Sequence, residues 1–371
     1  VPLYRRGDAG PAVAEIQATL VTLDLLRAAP AEPVFDQPTD WAIREFQQNR
    51  GLVVDGIVGP ETYAALAAAR LKLGDRLLSL ASKMYAGDDV AHLQERLAEL
   101  GFDTGRADGL FGHRTEAALK KFQREYGLVN DGVCGPATLR ALKQLGRLVV
   151  GGAPHALREG EVLRRSGAAL AGKIVVIDPG HGAADRGAVG NGLEEAAIAE
   201  DLAARLEGRL SAVGVRTLLT RGPDSCPTDA ERAQLANEAR ADLVVSLHVD
   251  RSTSPRCHGV ASYHFGTGSG ATSTVGEKLA SLVQREVVAR TDLVDCRVHH
   301  KTWQLLRLTQ MPMVRLELGH LSHPGDAARL AEPAFRDTVA EALLVAIQRL
   351  YLPPDLDAPT GMLRLQDLAR T

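Results

Sequence analysis

Within its first 142 residues the chain carries one pattern twice. Residues 41–66 read WAIREFQQNRGLVVDGIVGPETYAAL, and residues 117–142 read AALKKFQREYGLVNDGVCGPATLRAL. At an offset of 76, Phe46-Gln47 falls on Phe122-Gln123, Asp55-Gly56 on Asp131-Gly132, Gly59-Pro60 on Gly135-Pro136, and Thr62 on Thr138. An earlier pair matches with one gap, VAEIQATLVTL at 13–23 and VAHLQERLAEL at 90–100. Such self-similarity means one small unit used twice, not one large core.

Each repeat reads as three helices. Val90, Leu93, Leu97 and Leu100 recur at helical spacing, as do Ala118, Leu119 and Phe122. The segment D-G-x-x-G-P is a turn: glycine tolerates positive φ, and proline opens the following helix at its first position. That last helix is expected over 61–69 and again over 137–145. A unit of about 60 residues folds alone only marginally. Residues 70–87 and 148–171 read as connectors.

From Lys173 the pattern changes to strands alternating with helices. Strands are expected over 173–178, 215–220, 243–247, 260–265 and 314–318. Helices are expected over 193–213, 229–239, 273–291 and 334–350. This alternation predicts a mostly parallel α/β sheet with helices on both faces. Residues 353–371 read as a mobile tail, which holds Thr360 and Thr371.

The bulk numbers exclude several classes. Apolar residues are 45% and charged residues 24%, as in soluble globular proteins. A net charge of −3 gives no general attraction to nucleic acid. No stretch approaches the ~20 apolar residues that span a bilayer. No secretory leader is visible at Val1-Pro2-Leu3, so the chain as written reads as cytoplasmic. A secreted or wall location is the alternative for a processed form. Cys134, Cys226, Cys257 and Cys296 form no C-x-x-C pair and read as isolated thiols. A Cys226–Cys257 or Cys257–Cys296 disulfide stays open.

Four segments near expected strand ends carry possible metal chemistry, where ligands collect in open α/β sheets. They are IDPGHG at 177–182, GLEE at 192–195, SLH at 246–248 and LELG at 316–319. Two histidines and a carboxylate with an open fourth position make a catalytic zinc site, and a further carboxylate can move the proton of water. Spacing alone does not join 181, 195 and 248. Each histidine is equally able to cap a strand by hydrogen bonding.

Those four motifs, in that order, resemble the zinc-dependent N-acetylmuramoyl-L-alanine amidase domain of the amidase-3 type. The repeats resemble the peptidoglycan-binding module that accompanies many wall hydrolases. The resemblance implies two small three-helix modules at 1–69 and 86–147 and an amidase domain at 172–352. It implies Zn2+ held by His181, Glu195 and His248, with Glu317 catalytic. Glu195 is preferred to Glu194 because it puts Ile198, Asp201, Leu202 and Ala203 in the family's register. Arg307 aligns with an arginine frequent in the family, and a substrate contact is expected there. Asp178 is read as orienting the turn around His181, and His258, His264, His299 and His300 as surface or wall residues. Val249-Asp250 and Gly319-His320-Leu321-Ser322-His323 depart from the family pattern.

Two functions follow. The first is hydrolysis of the bond between muramic acid and L-alanine in peptidoglycan, with the repeats holding the polymer or its precursors. The second is regulation, because the layout resembles an actinobacterial cytoplasmic amidase homologue that controls peptidoglycan precursor synthesis. A precursor-synthesis enzyme would then be the partner, with phosphate on a tail threonine, Thr360 before Thr371.

Overall fold

The protein is seen in a computed structural model that describes residues 3–28, 32–80, 85–145, 154–252, 254, 256–267 and 272–353. The chain divides into two compact units, the first essentially before Glu159 and the second from Glu159 onward.

The first unit holds two three-helix modules: α1 (Pro11–Thr22), α2 (Gln37–Asn49) and α3 (Pro60–Ala69), then α4 (Asp88–Glu99), α5 (His113–Glu125) and α6 (Pro136–Gln144). Each has its own core, one around Ile16, Leu20, Phe35 and Phe46, the other around Leu93, Leu97, Phe111 and Phe122. A buried glutamine explains the repeated letters. Gln123 donates to Asp131 Oδ1 at 2.8 Å, the Val133 carbonyl at 3.0 Å and Thr138 Oγ1 at 3.2 Å, and accepts from Gly132 N–H at 2.9 Å. Gln47 repeats this with Asp55, Ile57, Thr62 and Gly56. The glycine is fixed by φ of 74° at Gly56 and 73° at Gly132. Gln94, on the first helix of the second module, makes the same set with Asp108, Leu110, Thr115 and Gly109. Among the described residues Gln17 keeps only the Val34 carbonyl and Thr39, because the Asp-Gly pair is replaced by Glu32-Pro33.

Two stretches expected as connectors are structured. Leu78 is fully buried in the second module's core and its carbonyl accepts from Cys134 N–H at 2.8 Å. Helix α7 (Pro154–Arg165) lies in the other. Its Leu157 and Val162 are exposed, so no buried stripe marks it in the sequence. Residues 148–153 and the tail beyond 353, with Thr360 and Thr371, lie outside the described residues.

The second unit is a six-stranded sheet of β1 (Ile174–Pro179), β4 (Arg216–Leu219), β5 (Leu243–Asp250), β6 (Val260–Phe265), β7 (Asp295–Lys301) and β8 (Met313–His320), in the order β4-β1-β5-β8-β6-β7. All neighbours run parallel except β6 and β8. A short hairpin, β2 (Val189–Gly190) and β3 (Leu193–Glu194), precedes α8 (Glu195–Ala212). The other helices are α9 (Asp229–Glu238), α10 (Thr274–Arg290), α11 (Gln304–Leu308), α12 (Pro324–Ala331) and α13 (Pro333–Tyr351).

Side chains alternate across a strand. Val175, Ile177, Val245, Leu247, Val314 and Leu316 join α8, α10 and α13 in one apolar core. The intervening Asp178, Ser246, His248, Arg315 and Glu317 therefore share the opposite face, where Arg232 of α9 reaches Asp178. No helix among the described residues is long and apolar enough to cross a membrane. All four cysteines are free, so neither of the open disulfide pairings is formed.

Candidate metal centre

The site is built where β1 ends. Asp178 is buried, and it accepts hydrogen bonds from Ser246 Oγ at 2.6 Å, from Thr220 Oγ1, and from Arg232 Nη1 at 2.7 Å. Burial opposes the charge of Asp178, but Arg232, His248 and the hydrogen bonds from Ser246 and Thr220 together outweigh it and hold the carboxyl below its ordinary pKa. Two arginines then grip the loop by its carbonyls. Arg232 donates to those of Pro179 at 2.8 Å and His181 at 2.9 Å, and Arg221 to those of Pro179 at 3.0 Å and Gly180 at 3.2 Å. His181 sits at the end of this grip with a left-handed φ of 57°.

Glu195 opens α8, and its two oxygens divide between the two histidines. Oε2 lies 3.2 Å from His181 Nε2, and Oε1 lies 2.8 Å from His248 Nδ1. The N–H groups of Ala188 and Val249 donate to the same carboxylate at 2.8 and 3.1 Å. Burial penalises its charge, yet the hydrogen bonds from His181 and His248 win and depress its pKa. The hydrogen bond to Glu195, helped by Asp185 Oδ2 at 2.8 Å from Nδ1, raises His181 to about 9. One ligand atom from each of His181, Glu195 and His248 lies within 4.8 Å of the others, and among the described residues this is the only such group of three.

Two glycines make the approach possible. A Cβ at Gly180 would stand 2.3 Å from His248 Cε1. A Cβ at Gly187 would stand 2.6 Å from Glu195 Oε2 and 2.7 Å from His181 Cδ2. Glycine at 180 thus clears room for the second histidine, not for its sequence neighbour.

Glu317 on β8 is the register partner of His248 on β5. Its Oε1 accepts both Nε of Arg315, at 2.8 Å, and Nη2, at 2.6 Å. The Arg315 guanidinium lies 4.6 Å from the centre of the Trp303 ring, which packs on Tyr263 at 4.8 Å. Arg307 is half-buried on α11, a helix that packs against β6 and β8. Glu194 pairs with Arg186 outside the cluster. His258 is exposed and stacks on His323, His264 is buried, and His299 and His300 are exposed. His320 Nε2 lies 3.5 Å from Asp250 Oδ2.

Residues 175–349 match the N-acetylmuramoyl-L-alanine amidase model, and residues 9–66 and 86–142 each match the putative peptidoglycan binding domain. Over 379 aligned residues the chain is 48% identical to the N-acetylmuramoyl-L-alanine amidase CwlM of Mycobacterium tuberculosis, covering 98% of this chain and 93% of that one. The chain belongs to the N-acetylmuramoyl-L-alanine amidase family. By that membership it is an enzyme of the amidase class, with two peptidoglycan-binding repeats ahead of the amidase fold. It is also 32% identical over 174 residues to the amidase LytC of Bacillus subtilis, covering 47% of this chain and 34% of that one. Among solved structures, the amidase AmiC2 of Nostoc punctiforme is 29% identical with a TM-score of 0.44, covering 47% of this chain and 94% of that one.

Sequence reasoning about this amidase missed three arginines, Arg221, Arg232 and Arg315. The signal for Arg315 was present: residues i and i+2 of a strand share a face, so Arg315 had to lie beside Glu317. Arg221 and Arg232 are reached from separate elements and carry no local signal.

Proposed function

We propose that this amidase is a zinc enzyme that hydrolyses the amide between the lactyl group of muramic acid and L-alanine of the peptidoglycan stem peptide. The observation that carries the reading is the convergence of His181, Glu195 and His248 beside Glu317. The donor set fits zinc: two imidazoles and one carboxylate leave a fourth position open. The Asp185 carboxylate on the far nitrogen of His181 is the outer partner that zinc-ligating histidines carry. Zinc held by these three residues supplies Lewis-acid polarisation and lowers the pKa of water towards about 7.

The remaining work falls to the chain. Arg315 fixes Oε1 of Glu317 with two donors. Oε2 has no hydrogen bond among the described residues and is the atom free to handle a proton. Glu317 would take the proton of the attacking water there and deliver it to the departing amine of L-alanine. Arg307 is kept as a substrate contact from α11. The two repeats would hold the polymer and raise the local concentration of scissile bonds.

The test is incubation of the full chain with purified peptidoglycan, with and without chelator. Release of stem peptides that stops on chelation and returns with zinc is the expected result. A protein that binds peptidoglycan and zinc yet releases nothing would overturn the hydrolytic reading. It would favour a regulator of precursor synthesis, for which cell fractionation and recovery of a precursor-synthesis enzyme are the next measurements.

A further inference from the structure

The second unit has a groove on its far edge, between α10 and the edge strand β7. It is an open groove of about 420 Å³ whose polar lining is Ser281, Gln284, Arg285, Asp295 and Arg297, with Val288 and Val298 beside them. That volume lies in the range of small-ligand sites. Helix α10 packs on the apolar face of the sheet, opposite the face of His248 and Glu317, so the groove is separate from the candidate metal centre.

Three features of the groove bear on what it could hold. The first is Arg285. Its Nε and Nη2 are shielded from solvent and have no hydrogen-bond partner among the described residues. The nearest acid, Glu286 Oε1, is 3.8 Å from Nε and is committed to Arg349 at 2.7 Å, while Glu286 Oε2 takes Arg290. Shielded donors left without partners carry an uncompensated desolvation cost. Nε and Nη2 form the guanidinium edge that grips two oxygens of a carboxylate or phosphate in parallel.

The second is Arg297. It has φ of 72°, unusual for a residue with a side chain, at an irregularity in the β6–β7 pairing. Bulges on edge strands re-aim side chains. The third is the fastening beneath it. Asp295 Oδ1 accepts from Arg297 N–H at 2.9 Å and from Gln284 Nε2 at 2.7 Å, which ties the bulge to α10. The Asp295 charge is met by Arg297 Nη1 at 3.9 Å.

We propose that the α10–β7 groove binds a small oxyanion, a carboxylate or phosphate, on the Nε–Nη2 edge of Arg285 with Arg297 at the rim. The Arg285 side chain is 38% exposed, and its shielded Nε–Nη2 edge would turn away from Glu286 to meet the anion. Val288 and Val298 give room beside the anion for a small apolar group. The site does not rest on the amidase reading.

The test uses the full chain with arginine Nε labelled by 15N, titrated separately with inorganic phosphate and with N-acetylalanine. Saturable movement of the Arg285 Nε signal is expected, with a Kd of about 1 mM, the scale of one charge-assisted pair. Tighter binding of phosphate marks a phosphate site, and tighter binding of N-acetylalanine marks a carboxylate site with the apolar wall engaged. R285Q should weaken the preferred probe at least about tenfold, read by phosphorus relaxation for phosphate or proton relaxation for N-acetylalanine, while the thermal midpoint does not fall. R297Q should weaken it by less. Absence of saturation with both probes, or binding unchanged in R285Q, overturns the proposal.

Discussion

Glu317 shows how one side chain is prepared by another. Arg315 spends two donors on a single oxygen and is itself backed by Trp303. Arg315→Met should lower amide hydrolysis about tenfold while zinc content stays at one per chain, since general acid–base catalysis supplies roughly 10²–10⁴ and only its aim is lost. Zinc loss in that variant, measured by metal analysis, would contradict a purely orienting role. His181→Ala should abolish stoichiometric zinc with the N-terminal modules still folded, and full zinc retention would remove it from the site. Single letters made part of this legible. The choice of Glu195 over Glu194 rested on helix register, and the structure places Glu195 in the cluster and Glu194 on Arg186. The carbonyl-gripping roles of Arg221 and Arg232 were illegible, because they depend on α9 and the β4 end meeting the β1 loop in space.

At the scale of elements, the β1 loop depends on a buried pair and on missing side chains. Gly180→Ala would push a methyl into His248, an overpacking of about 1–3 kcal/mol. Zinc stoichiometry should fall while the helical content of the full chain is unchanged. The Asp178–Arg232 pair gives the fold an acid dependence. Asp178 is held below its ordinary pKa, so its contribution is present above the unfolded value of about 3.9 and is lost as pH falls through the folded value. The thermal midpoint of wild type should therefore drop below about pH 4 more steeply than that of Asp178→Asn. The variant itself should be destabilised at neutral pH by about 3–5 kcal/mol, as for a broken buried pair. An identical pH slope in the two proteins would remove Asp178 from the account. Strands with apolar alternation were legible, but β7 was not. Its sequence DCRVHHK is polar, its residues are largely exposed, and a left-handed Arg297 breaks its period. The two-residue strands β2 and β3 are too short to have a period at all.

The whole molecule joins units with separate cores, and this is where the repeat in the sequence was most informative. The letters Q, D, G and T recur because a buried glutamine needs them as partners, and the same need appears again at Gln94. Removing residues 1–153 should lower the rate on insoluble peptidoglycan by roughly 10²-fold or more, the scale of a lost tether. The rate on a soluble muropeptide should hold. Equal loss on both substrates would mean that the repeats support the amidase fold rather than hold polymer. The most direct measurement compares wild type with Glu317→Gln at equal zinc content on purified peptidoglycan, counting new L-alanine amino termini. The account predicts steady appearance of those termini with wild type and a rate lower by at least about 10²-fold with the variant. Equal rates in the two proteins would contradict it.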